Sequence, residues 1–163
     1  VYPPRIFLMK QEIEHPNGSD ILTELQRGKL MIVNARKRNG LILYKDFHAE
    51  FAGPGSAVGG SFDMACQRVL PVGNFSLLEP ESDEDRQKAY LIRRQWIRFT
   101  KQVTDEPQPI QRAQKILTQF EAFFDSQTVA MMPDEAFARL VGVLPQTVHM
   151  VRRTGGDSDG SRR

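Results

Sequence analysis

The stretch "EPESDEDRQKAYLIRRQWIRFTKQV", residues 79 to 103, marks a change of character in the chain. Five acids fall between Glu79 and Asp85, and six Lys or Arg with no acid follow from Arg86 to Lys101. Acids ahead of and inside a first turn, with bases beyond it, complement a helix macrodipole, and Ser82 is placed to cap the N-terminus. Ala89, Ile92, Trp96, Phe99 and Val103 recur at alternating spacings of three and four, which aligns them on one helical face. The segment predicts the longest helix of the chain. It also predicts a boundary near residue 80, between a strand-bearing portion (1–78) and a helical portion (79–154).

Downstream, "TDEPQP" breaks the helix, and Ile110, Ala113, Leu117, Phe120 and Phe124 repeat the same spacing. Two amphipathic helices joined by a short Pro-containing turn are expected to pack as an antiparallel pair, stripe against stripe. Upstream, "RIFLMK" (Arg5 to Lys10) reads as a short apolar strand. "PNG" (Pro16 to Gly18) punctuates the chain, and Ser19 or Asp20 is placed to cap a short helix running to Gly28. "KLMIVNARK" and "LILYKDFHAEF" flank Arg38, Asn39 and Gly40. The Asn-Gly pair predicts a hairpin turn there, because both residues tolerate positive φ, with Lys29, Arg36, Lys37 and Arg38 gathered near its tip. "AGPGSAVGG" (Ala52 to Gly60) predicts an exposed connector, and "SFDMACQRVL" a short helix opened by Ser61. The glycines lack the Lys-Ser/Thr of a P-loop and the spacing of a dinucleotide fingerprint, which leaves mononucleotide binding as a minor alternative. The fold class expected is α+β, strands first and helices after.

Composition limits the function. Lys and Arg number 22 against 20 acids, so affinity for a polyanion has to come from where the charges sit. Cys66 is the only cysteine, which excludes an intramolecular disulfide and a cysteine-based zinc site. His15, His48 and His149 lie far apart, without metal-ligand spacing or a nucleophile elbow. The expectation is a protein that is not an enzyme and uses no cofactor or metal. No apolar run approaches the roughly 20 residues of a bilayer span, and the N-terminus lacks a signal-peptide pattern, so a cytoplasmic protein without membrane association is expected.

"DEAFARLVGVLPQTVHMVRR", residues 134 to 153, carries the functional reading. Ala138 is a small residue placed to face inward, and Gly142, four later, can take the left-handed conformation of a tight turn. Val148, six further on, returns the next helix to the core. Phe137, Val141, Val143 and Val151 fill the remaining apolar places. This pattern resembles the helix-turn-helix DNA-binding family, over this segment alone. The resemblance implies that "PQTVHMVRR" is a recognition helix, with Pro145 in its first turn, where a missing N–H costs nothing. Gln146, Thr147, His149, Met150, Arg152 and Arg153 would then face double-stranded DNA. Gln suits adenine, Thr a phosphate or thymine methyl, and Arg guanine or phosphate.

Such helices commonly open on Ser or Thr, and here that place is Leu144. Further phosphate contacts are expected from Arg36, Lys37 and Arg38, and from Arg94 and Arg98 on the basic helix. The function expected is sequence-specific DNA binding, most simply as a transcriptional regulator. A homodimer would supply a second reading helix, and the N-terminal portion would hold a protein partner or effector. The alternative is a protein-interaction module in which the two helices are structural, and Leu144, Met150, Met131 and Met132 form an adaptable surface. The polar, Gly-rich tail at 155–163 is expected to be disordered.

Overall fold

The computed structural model describes residues 12–13 and 18–161, with side chains given for 20–155. The strand read in "RIFLMK" lies outside the described residues. Strands β1 (Glu12–Ile13), β2 (Met31–Val33), β5 (Ala57–Val58) and β7 (Leu77–Leu78) form one antiparallel sheet, ordered β1-β7-β2-β5. Strands β3 (Asn39–Tyr44), β4 (Ala49–Ala52) and β6 (Arg68–Gly73) form a second, ordered β4-β3-β6. Helix α1 (Gly18–Gln26) precedes β2. Helices α2 (Asp83–Thr104), α3 (Pro109–Phe123), α4 (Ser126–Met131), α5 (Asp134–Val141) and α6 (Pro145–Ser161) follow the last strand. The architecture is α+β.

The continuous apolar run of β3 explains the layering. All six of its residues are buried, and a strand's side chains alternate between faces. Ile42 and Tyr44 join a core with Phe51, Val72, Ile116, Phe120 and Phe137. Leu41 and Leu43 join another with Ile21, Leu25, Met31, Val58 and Leu77. The second sheet is therefore a middle layer, with α3, α5 and α6 on one face and the first sheet with α1 on the other. The change of composition near residue 80 falls between the last strand and the five helices α2 to α6, but the larger core draws on both sides of it. Aromatic rings stitch that core together. Phe51 on β4 meets Trp96 edge to face at 5.3 Å and Phe120 at 4.9 Å, and Phe120 meets Phe137 at 5.3 Å.

The hairpin is displaced from its expected place. Asn39 and Gly40 begin β3 instead of forming a turn, and β3 pairs with β4 across a turn at 45–48, closed by the Lys45 N–H donating to the His48 carbonyl at 2.8 Å. The physical reason is that both residues are used in the interior. The Asn39 amide donates to the carbonyls of Asn34 and Lys37, and its oxygen accepts from the Ser76 N–H. A Cβ at Gly40 would run into the Phe51 ring. Arg36, Lys37 and Arg38 consequently sit in the connection from β2 to β3.

The Gly-rich segment is likewise buried instead of exposed, and contributes β5. Its glycines serve close approach. A Cβ at Gly53 would strike the Trp96 ring, and one at Gly59, at φ 92°, would strike the Lys29 carbonyl. The helix expected from Ser61 is a single 3-10 turn (Ser61–Asp63), after which the chain enters β6. That turn aims Asp63 inward. Arg93 of α2 donates to both Asp63 oxygens at 2.9 and 3.2 Å, to Glu50 at 3.0 Å and to the Ala57 carbonyl at 3.0 Å. Lys45 reaches Asp63 at 2.6 Å. Burial pulls the Asp63 carboxyl upward, but Arg93 and Lys45 outweigh it and hold the group below its usual range. Burial works against the Arg93 charge too, and Asp63 with Glu50 more than restores it, keeping its pKa above the ordinary value.

Ser82 caps α2 as expected, accepting from the Asp85 N–H at 3.1 Å. The stripes of α2 and α3 meet on Phe51, through Trp96 and Phe120, and Trp96 also contacts Phe123, beside the α3 stripe, at 5.5 Å. Ile110 departs from its stripe and is exposed. Helix α6 continues to Ser161, through residues read as a disordered tail. Gly155 and Gly156 weaken a helix by about 1 kcal/mol each relative to Ala, but no proline interrupts it. Among the described residues no helix is long and apolar enough to cross a membrane.

Candidate nucleic-acid interface

The pair α5 and α6 is built from the spacing in its sequence. Phe137, Ala138, Val141 and Val148 are buried, and Val143 and Val151 pack against the same core. Gly142 ends α5 in the left-handed region, at φ 69° and ψ 45°. The Ala138 carbonyl accepts from both the Gly142 and the Val143 N–H groups, which satisfies the end of α5 and turns the chain. α6 then starts with no polar cap from Leu144, whose side chain is exposed. The Leu144 carbonyl accepts from the Thr147 N–H at 3.0 Å.

With Val148 fixed inward, helical periodicity decides which residues face solvent. Gln146, His149, Met150 and Arg153 are exposed, and Thr147 is half-buried. Arg152 departs from its expected role. Its Nη1 donates to Asp134 Oδ1 at 2.7 Å, its Nη2 to the Val129 carbonyl at 2.9 Å, and its guanidinium lies 4.9 Å from the Phe137 ring centre. Arg152 thus fastens α6 to α4 and α5 in place of reaching outward. Asp134 also stands 3.5 Å from His149 Nδ1.

Arg36 and Arg38 are exposed and Lys37 is half-buried. All three line a groove of about 660 Å³ whose other walls come from β6, the end of α3 and α4, including Pro71, Phe124, Thr128 and Met131. α4 is the link between this basic connection and α6, since it contributes Met131 to the groove and the Val129 carbonyl to Arg152. Arg94 and Arg98 project from the outer face of α2, and no hydrogen bond or groove joins them to α6 among the described residues. Arg36, Arg38, Arg94, Arg98 and Arg153 form no ion pair with any described residue.

Sequence reasoning missed two residues. Asp134 was legible only as a first-turn acid, and its partners depend on how α6 crosses α5. Arg93 entered only the count of bases between Arg86 and Lys101, although it stands four residues after Ala89 and three before Trp96, on the buried stripe. No group of three or more His, Cys, Asp or Glu side chains converges among the described residues. The chain matches no family model, no curated protein and no solved structure.

Proposed function

We propose that this chain binds double-stranded DNA sequence-specifically, most simply as a transcriptional regulator, with the first turns of α6 in the major groove. The observation that carries the reading is the division of α6. Val148 and Arg152 hold the helix to the core, which leaves Gln146, His149, Met150 and Arg153 together on the solvent face. Gln146 and His149 are the base-reading side chains, Gln146 through the paired donor and acceptor that match adenine. Arg153 takes guanine or phosphate, and Arg36 and Arg38 supply phosphate contacts that set orientation without reading sequence. Two copies on paired half-sites would give the affinity that one short helix lacks, which light scattering with and without DNA measures. Selection from a random duplex pool, with sequencing of the retained fraction, tests the reading. It requires an enriched motif that Gln146→Ala broadens at one position, and a pool recovered without enrichment contradicts it.

A second reading, a protein-interaction module, is favoured by Met131. This side chain is 81% exposed at the rim of the groove it shares with Arg36 and Arg38. Met is a common choice on adaptable binding surfaces, and the cations select an acidic partner segment. Loss of partner capture in Met131→Ala, with Gln146→Ala silent, distinguishes it from DNA binding.

A further inference from the structure

A second concavity, of about 430 Å³, lies between the β3–β4 turn, α2 and α5. Its apolar walls include Phe47, Ile97 and Leu140, and Thr100, Lys101 and Thr104 border it along α2. The volume lies within the usual range for small-molecule sites, and an apolar lining with a few polar groups is their usual character. Phe47 is 95% exposed at the tip of the turn, so its ring has an uncovered face beside the opening.

The charges decide which ligand fits. Glu50 is already neutralised, with one oxygen on Arg93 at 3.0 Å and the other 3.1 Å from His48 Nε2. Arg139 pairs with Glu135 at 3.3 Å, a carboxylate it shares with Arg68 at 2.8 Å. Lys101 is exposed, lines the same space and has no ion pair among the described residues. The cavity therefore offers an apolar slot with a positive edge, where Lys101 is the cation without an acid partner among the described residues. We infer that this groove binds a small carboxylic acid with an aromatic or branched apolar body, the body between Phe47, Ile97 and Leu140 and the carboxylate on Lys101. The site does not depend on the proposed DNA contacts. It shares Leu140 and Gly142 with the end of α5, so an occupied groove touches the turn that sets α6.

The fold supplies a probe. Trp96 is the only tryptophan, and it packs on Phe51, which also lines the groove. The full chain, without DNA, is titrated with phenylacetate and with phenylacetamide while Trp96 fluorescence is followed. The inference requires a saturable change for phenylacetate, with binding about five-fold tighter than for the neutral amide, the value of one partly exposed ion pair. Lys101→Met, with an unchanged thermal midpoint, removes that preference, and Phe47→Ala weakens both ligands. Absence of saturation for phenylacetate, equal binding of acid and amide, or a preference that survives Lys101→Met overturns it.

Discussion

Replacing Arg152 by alanine separates a structural arginine from a DNA-contacting one. The side chain is 25% exposed and makes two hydrogen bonds, at 2.7 Å to the Asp134 carboxylate and at 2.9 Å to the Val129 carbonyl. A charge-assisted bond at this burial contributes about 1.5 kcal/mol and a bond to a carbonyl about 1 kcal/mol. The stack on Phe137 adds about 0.5 kcal/mol. Arg152→Ala is therefore expected to destabilise the protein by about 2–3 kcal/mol. In a chain of this length that lowers the thermal midpoint by about 4–12 °C. Arg153→Ala, at an exposed residue without an ion pair, changes stability by less than about 0.5 kcal/mol. Urea unfolding followed through Trp96 measures both, provided the dependence on denaturant is unchanged. Equal stabilities for the two variants would refute the assignment of Arg152 to the fold. If the assignment holds, lost DNA binding in Arg152→Ala reports a loosened α6, and Arg153→Ala is the informative variant.

Four further outcomes rest on the fold. Arg93→Met removes the main partner of a fully buried Asp63 and costs about 3–5 kcal/mol, and combining it with Asp63→Asn recovers part of that loss in a double-mutant cycle. Because the folded-state pKa of Asp63 is depressed, its contribution is complete above the unfolded value of about 3.9 and is lost as pH falls through the lower folded value. Asp63→Asn should flatten that limb of an acid-unfolding curve, and an unchanged limb counts against the cluster. Gly142→Ala meets only an ordinary contact, with Arg112 Nη1 nearest at 3.9 Å, and costs the left-handed backbone, about 1–2 kcal/mol. Gly59→Ala must displace the Lys29 carbonyl and costs more than about 3 kcal/mol, an order that thermal unfolding checks. Burial pushes the Cys66 thiol up, so a thiol reagent should label it slowly in the native protein and rapidly in urea, and fast native labelling would contradict its burial.

The helical half was legible because its pattern is local. Ala89, Val103, Ala113, Leu117 and Phe120 are buried where three-and-four spacing put them, and Gly142 takes the conformation its place in the motif demanded. The strand half was less legible because the same residue types serve opposite ends. Asn39-Gly40 has the composition of a turn, yet the pair lies in β3, where Asn39 bonds three backbone groups and Gly40 makes room for Phe51, a residue eleven positions away. The glycines at 53–60 likewise answer to Trp96 and Lys29, which no local window includes. Arg93 shows the same limit on a helix. Its place on the buried stripe was visible, but Asp63, which makes that place tolerable, comes from the 3-10 turn before β6, thirty residues earlier. At the candidate interface, the exposure of Gln146, His149, Met150 and Arg153 followed from the position of Val148. The recruitment of Arg152 by Asp134 and Val129 required the crossing of three helices.

The most direct test of the proposal that α6 reads DNA is the salt dependence of binding to a selected duplex, for the unaltered chain beside Arg153→Ala. If Arg153 contacts a phosphate, the slope of log K against log salt becomes shallower by about 0.9 in the variant, with stability unchanged. If Arg153 reads guanine instead, the preference at one base pair falls by about 1–3 kcal/mol while the rest of the motif persists. A variant that binds the same duplex with the same slope and the same motif would contradict the placement of α6 on DNA.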